Sequence, residues 1–231
     1  YLLPSTCSNY GKVKGNKIAN EESELNPLTH YAKANSRAEK DIIKLASNKF
    51  CVTIFRQSTL FGYSPRLRLD LAINGMTYGI FKNNVLPVMR DGTQKRPMLH
   101  IKDAARAMEF FLKKDNKIIN KQIFNIGDNL ANYSIIELVK EFKFIFKNKF
   151  KIKWYGTPDQ RSYSVSFDKI NKIGFKTKYN AEYGILELIN KFNKNKIEKK
   201  SINITLEWYK ELEDMNNIIK NCSINNKILK L

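Results

Sequence analysis

Apolar and polar positions change their period several times along this chain. Leu2-Leu3-Pro4 is an apolar start that ends in the small residues Ser5 and Thr6, a strand already under way. A polar loop from Lys12 to Asn26 follows, and Pro27 suits the first turn of a helix. Along that helix Leu28, Tyr31, Ala32, Asn35, Ala38, Ile42, Leu45 and Ala46 are expected to face inward. Lys33, Arg37, Lys40 and Lys44 fall on the other side. Cys51 to Phe55 is a continuous apolar run, the kind buried on both faces of a parallel sheet. Residues 63–97 read as loop, with turn signals at Ser64-Pro65-Arg66 and Asp91-Gly92-Thr93. A short strand from Met98 to Ile101, a helix from about Asp103 to Lys114 and a buried strand from Gln122 to Ile126 come next. Beyond Tyr133 the pattern is mainly helical: Ser134 to Phe146, a turn of helix near Asp168, Ala181 to Asn193, and Thr205 to Asn221. One short strand, Lys151 to Tyr155, and a Lys/Asn-rich linker from Asn193 to Ser201 interrupt it. The strand–helix–strand order of the first half predicts a doubly wound α/β fold.

Composition narrows the setting. The chain has 231 residues, 42% of them hydrophobic, enough for one large or two small domains with a real core. No apolar run approaches membrane-spanning length. Cys7, Cys51 and Cys222 are odd in number and far apart, which fits a reducing cytoplasm better than a disulfide framework, and no Cys/His cluster suggests a metal. The net charge of +19 raises the question of nucleic acid. The lysines, however, are spread over the whole chain, without an aromatic RNA-binding signature or an arginine-rich arm. The milder consequence is a field that attracts an anionic substrate. Trp154, Trp208 and the Tyr10 ring read as packing groups, and His100 as a brace for the loop before its helix.

Several segments carry candidate chemistry: Ser5-Thr6-Cys7-Ser8-Asn9-Tyr10-Gly11, Asn26-Pro27-Leu28-Thr29-His30-Tyr31 with Asn35, Phe55-Arg56-Gln57-Ser58-Thr59-Leu60-Phe61-Gly62, and Asp91 to Asp103. Phe124-Asn125-Ile126-Gly127 and Asp159-Gln160-Arg161-Ser162-Tyr163 with Asp168-Lys169 complete the series. In this order they resemble the landmarks of the extended short-chain dehydrogenase/reductases, the nucleotide-sugar epimerases and dehydratases, over most of the chain up to about residue 195. The resemblance implies the C-terminal part of a Rossmann-type doubly wound parallel sheet plus a smaller, mostly helical substrate-binding domain. Residues 1–62 and 98–128 would belong to the NAD-binding part, and 63–97 with 129–231 to the nucleotide-sugar part. It implies NAD as cofactor, with NADP left open, a nucleotide-diphosphate sugar as substrate, and a homodimer paired through helices that include the tyrosine-bearing one.

The same resemblance assigns roles. Tyr31 matches the catalytic tyrosine and Thr6 its hydroxyl partner, both also touching cofactor. Ser58 would lie beside the nicotinamide and Thr59 near the sugar. Asn74, Arg96 and Arg161 would contact the diphosphate, a task suited to the planar guanidinium fork. A hydride-transfer sugar enzyme needs a base for a hydroxyl proton, and a phenol serves when a neighbouring cation lowers its pKa by about 1–3 units.

Three departures shape the expectation. Asn35 stands where the family carries the lysine that supplies that cation, although its amide can still bond a cofactor ribose. Cys7 and Ser8 stand where the 4,6-dehydratases carry an Asp-Glu pair for elimination, which disfavours dehydration. No Gly-x-x-Gly-x-x-Gly turn is present to hold the cofactor pyrophosphate, so the chain is expected to be the C-terminal two-thirds of such a protein. The leading reading is therefore an NAD-dependent epimerase or related C4 oxidoreductase. A catalytically impaired relative that binds nucleotide sugar, or a protein partner, without turnover stands beside it.

Overall fold

The computed structural model describes residues 1–13, 15, 17–195, 197–224 and 227–228. Lys14 and Asn16 of the expected polar loop, and Lys196 of the expected linker, lie outside the described residues. β1 (Leu2–Thr6) runs into a 3₁₀ turn, Cys7–Tyr10, followed by the two-residue β2 (Ile18–Ala19) and by α1 (His30–Ile42). β3 (Thr53–Gln57) and β4 (Thr59–Phe61) lead to α2 (Ala72–Asn83), β5 (Val85–Met89), β6 (Lys95–His100), α3 (Ile101–Leu112) and the single turn α4 (Asn116–Ile119). β7 (Gln122–Ile126), β8 (Asn132–Ser134), α5 (Ile135–Ile145), β9 (Lys151–Tyr155), β10 (Ser164–Val165), α6 (Asp168–Lys172), α7 (Ala181–Asn195) and α8 (Thr205–Asn221) follow.

The predicted parallel α/β sheet is present, with β3 central in the order β1-β3-β7, Leu2 opposite Thr53 and Thr53 opposite Gln122. Alternation along β3 sends Phe55 to one face and Arg56 to the other. On the first face α3 lays Phe111 4.5 Å from Phe55 and 4.9 Å from Phe124, ring centre to ring centre. On the second, Arg56 reaches α1. A first core forms here from Phe55, Ala107, Phe111, Phe124 and Ile126, joined by Tyr163 to Phe175 from late in the chain. A second core packs α2, β5, α5 and α7 through Ile73, Ile80, Val88, Leu138, Phe142 and Phe192. The capping box at Ser134 and Glu137 starts α5 where the sequence pattern places it.

Several expectations are corrected. Residues 63–97 are not loop-rich: α2 and β5 lie within them and β6 begins there, three residues earlier than expected. Gly75 and Gly79 lower the helix signal of α2, yet a Cβ on Gly79 would stand 2.5 Å from the Pro87 side chain, so β5 and α2 approach closely only because it is glycine. α1 begins at His30 with Thr29 as its cap rather than at Pro27, and its buried positions are Ala32, Ser36 and Glu39. Tyr31 and Leu45, expected inward, are 62% and 61% exposed, and Ala38 is exposed as well. The helix is rotated because Glu39 is drawn inward to a buried arginine. Trp154 is exposed rather than packed, whereas Tyr10 is fully buried as expected.

Candidate active site

Thr6 ends β1 at the carboxyl end of the parallel strands, where doubly wound sheets hold their ligands. Its Oγ1 accepts a hydrogen bond from the Ser8 N–H at 3.1 Å and so caps the Cys7–Tyr10 turn, leaving its proton to donate elsewhere. Gly11 closes that turn at φ +63°, and a Cβ there would fall 1.7 Å from the Asn26 carbonyl. The returning loop is held by Asn26 N–H on the Asn9 carbonyl at 2.9 Å and delivers Thr29, which caps α1 through Ala32 N–H. Tyr31 therefore stands in the first turn of a helix that packs on β1 and on the Cys7–Tyr10 turn. Asn35, one turn on, donates from Nδ2 to the Tyr31 carbonyl at 2.9 Å, leaving its Oδ1 and its second amide proton for a ligand.

Beneath this pair lies a polar network that sequence reading missed. Arg56 and Glu39, 4% and 3% exposed, pair at 2.8 Å, with Arg56 Nε on both carboxylate oxygens. Ser5 Oγ and Asn9 Nδ2 also donate to Glu39 Oε1. Arg56 reaches the Tyr10 hydroxyl at 3.1 Å, which donates to Asn125 Oδ1 at 2.7 Å. The available signal was an arginine inside an otherwise apolar strand, which needs a buried acid to pair with. Burial pushes the Cys7 thiol and the Tyr10 phenol upward, against the pull of Arg56, so both stay protonated.

The other predicted site residues divide between bracing and facing space. Ser58 is buried and donates to the Ile126 carbonyl at 2.9 Å; Thr59 is half-buried in β4, opposite Met98. Asn74 is buried with its amide used both ways, accepting from Gly62 N–H and donating to the Arg68 carbonyl, each at 2.9 Å. Arg96 donates to the Lys95 and Arg161 carbonyls and to Asp159 Oδ2 at 2.9 Å, with its guanidinium 4.9 Å above the Tyr163 ring. Arg161 binds the same carboxylate from Nε and NH2 at 3.0 and 2.7 Å. Burial alone would raise the Asp159 carboxyl, and the bonds from Arg161 and the charge of Arg96 outweigh it and hold it below its ordinary value. A cavity of about 370 Å³ is lined by Leu28 and Thr29 at the start of α1 and by Thr157, Asp159 and Arg161 opposite. The structure thus sets Arg161 across a cavity from the residues that precede Tyr31. Ser8 Oγ and the Tyr163 hydroxyl, 3.0 Å apart, link the Thr6 turn to the arginine turn.

His100 is fully buried and, because β6 runs directly into α3 with no loop between them, caps that helix rather than bracing a loop: its Nδ1 accepts from Lys102 N–H at 3.2 Å, so Nε2 carries the proton and meets Glu187 at 3.1 Å. Gly62, at φ +104°, leaves room for that ring, since a Cβ there would stand 2.5 Å from Nε2. Burial lowers the His100 pKa, opposed by Glu187. A histidine depressed in the folded state contributes stability that is present above its unfolded pKa and lost as pH falls through the folded one. Comparing melting temperatures of the protein and of His100→Asn should show the smaller loss in the variant between about pH 7 and 5. Parallel curves would mean that His100 does not titrate with folding.

These features fall in the order the sequence expected, and the chain belongs to the NAD dependent epimerase/dehydratase family, whose model matches residues 1–127. Among its relatives, an uncharacterized protein of Schizosaccharomyces pombe is 28% identical over 224 residues, covering 83% of this chain and 60% of that protein. The dTDP-D-glucose 4,6-dehydratase of Mus musculus is 27% identical over 205 residues, covering 84% and 56%. The UDP-glucuronic acid 4-epimerase of Bacillus cereus, solved with UDP-glucuronic acid and NAD, shares the fold with a TM-score of 0.70 at 20% identity, covering 84% and 61%. The chain therefore spans about three-fifths of the length of these relatives. No helix among the described residues is long and apolar enough to cross a membrane.

Proposed function

We propose that this chain carries the proton-transfer pair and the diphosphate anchor of an NAD-dependent epimerase, or related C4 oxidoreductase, of nucleotide-activated sugars. The observation that carries this reading is the cavity between Leu28–Thr29, which lead into the helix of Tyr31, and the Asp159–Arg161 turn, with the Arg161 guanidinium on its far side. Residues 1–62 and 98–128 form the cofactor side and 63–97 with 129–231 the sugar-nucleotide side. A cytoplasmic homodimer goes with it.

The donor set fits the nicotinamide-ribose end of NAD. The Asn35 amide keeps one proton and its oxygen free, and Tyr31 is open on the same helix. NAD held there would supply the hydride acceptor and donor for the sugar carbon. Tyr31 Oη removes the proton of the sugar hydroxyl, and the Thr6 hydroxyl, free to donate, holds the oxygen in place. Arg161 and, behind it, Arg96 anchor the diphosphate. Cys7 is buried and protonated, and the Ser8 hydroxyl is engaged with Tyr163, so neither supplies the acid–base pair that elimination of water requires. That favours redox and epimerisation over dehydration.

The second reading, binding without turnover, is favoured by one observation: the position one turn from Tyr31 holds an uncharged amide bonded to its own helix. Titrating UDP- and dTDP-sugars into the protein with its cofactor-binding portion supplied, while following nicotinamide absorbance, separates the two. Binding with a redox signal supports the enzyme; binding without one supports the second reading; absence of binding removes both.

A further inference from the structure

Lysines that are spread along the sequence are gathered by the fold at one end of the second core. Phe81 and Phe192, near the ends of α2 and α7, lie 5.3 Å apart, so those two helices finish together. Phe146, just past α5, stands 6.2 Å from Phe150, and Lys151 N–H donates to the Asn84 carbonyl at 3.0 Å. That bond fixes the start of β9 to the residue that caps α2. Three helix C-termini and one turn therefore share this end, and they carry Lys82, Lys143, Lys147, Lys149, Lys151 and Lys194. All of these are exposed, and none is in an ion pair among the described residues.

Helix dipoles account for part of this charge. Lys82, Lys143 and Lys194 each stand in a last turn, where a helix end presents about half a negative charge. Lys147, Lys149 and Lys151 have no such partner, and no acid lies between Glu141 and Asp159. Within this excess, Phe144 is 78% exposed on the final turn of α5. It serves no core, because Phe142 fills that place and Phe146 stacks on Phe142 at 6.1 Å. Lys140 lies one turn before Phe144, Lys143 beside it and Lys147 three residues on, all exposed. A lone exposed ring is ordinary on a protein surface. A phenyl surrounded by lysines is the makeup of a segment that rests on a membrane interface. There the apolar group enters the acyl boundary while the lysine stems reach back to lipid headgroups. Nucleic acid, the other large anionic surface, fits less well. It is gripped by arginine forks and by rows of aromatic groups along a groove. α2, α5, α7 and the turn before β9 contain no arginine, and they offer one projecting ring rather than a row.

We infer that this end of the second core rests on an anionic lipid bilayer, with Phe144 inserted and Lys82, Lys143, Lys147, Lys149 and Lys151 against the headgroups. The cavity of the proposed site lies beyond the other end of β9, about 13 Å on, and the inference does not depend on that reading.

Co-sedimentation of this chain with vesicles tests it, using phosphatidylcholine alone or with about one-third phosphatidylserine. The anionic vesicles are expected to bind at least about tenfold more tightly, because each lysine near such a surface is worth about fivefold, and the affinity should fall as salt rises. Lys143→Glu with Lys147→Glu should weaken binding at least about tenfold. Phe144→Ser, which alters no charge, should weaken it about fivefold. Lys49→Glu with Lys117→Glu makes the same change in net charge beside the first core, and should change binding by less than about threefold. Circular dichroism checks that every variant is folded. Equal binding to both vesicle types, no binding to either, indifference to Phe144→Ser, or an equal loss from the Lys49 and Lys117 pair overturns the inference. Single-stranded RNA bound more tightly than the vesicles, and lost in the Lys143 and Lys147 variant, gives the surface to nucleic acid and overturns it as well.

Discussion

Replacing Arg56 with methionine should lower stability by about 3–5 kcal/mol, seen as a melting temperature lower by about 10 °C or more. The physical reason is what remains behind. Glu39 is 3% exposed and would keep only the Ser5 hydroxyl and the Asn9 amide once the guanidinium is gone. A carboxylate in that position has lost its countercharge without gaining water. The Tyr10 hydroxyl would lose a donor as well. Asn9 Oδ1 is already without a partner among the described residues, so the network has no spare donor to reassign. Changing Glu39 to methionine in the same background should recover much of the loss, since an ion pair replaced on both sides by apolar groups of similar size is often close to neutral. Urea denaturation of the two single variants and the double variant measures both terms. A loss below about 1 kcal/mol for Arg56→Met would show that the pair is solvated rather than buried.

The second large effect concerns Tyr31. In the protein assayed with its cofactor-binding portion, Tyr31→Phe should lower kcat by about 10²–10⁴-fold, the range that a positioned acid–base group contributes. Nucleotide-sugar affinity should change little if, as proposed, Arg161 rather than Tyr31 anchors the diphosphate. Asn35→Lys should act in the opposite direction and raise turnover about tenfold, since a cation one helical turn from a phenol favours its ionised form. Steady-state kinetics across pH checks both. An active phenylalanine variant would remove the phenol from the mechanism, and an unchanged or slower lysine variant would show that the asparagine costs nothing.

Element types were legible where the apolar period was uninterrupted. β3, β7, α3, α5, α7 and α8 fall close to where their patterns place them, because each keeps one period for its whole length. α2 was not legible, because two of the residues on which its helix signal rests are glycines that serve close packing. The rotation of α1 was hidden for a different reason. A hydropathy pattern places a glutamate outside, and only the arginine in β3, distant in sequence, draws Glu39 inward. The site followed the same division. Thr6, Tyr31 and Arg161 were named from motifs; Thr6 ends β1, Tyr31 opens α1 and Arg161 lines the cavity that Leu28 and Thr29 share. Ser5, Asn9, Glu39 and Arg56, which hold α1 against β1, belong to no motif and depend on contacts between distant segments.

Asp159 has a consequence for how an anion enters. Its carboxylate occupies the inner edge of both guanidinium groups, so the two arginines are half-neutralised before any ligand arrives. Any anion that binds Arg161, the proposed diphosphate included, therefore competes with a resident carboxylate rather than filling a bare positive site. Exchange of that kind trades affinity for speed. The incoming group gains only the difference between its own bonds and those of the carboxylate, and on leaving it is replaced within the same clamp.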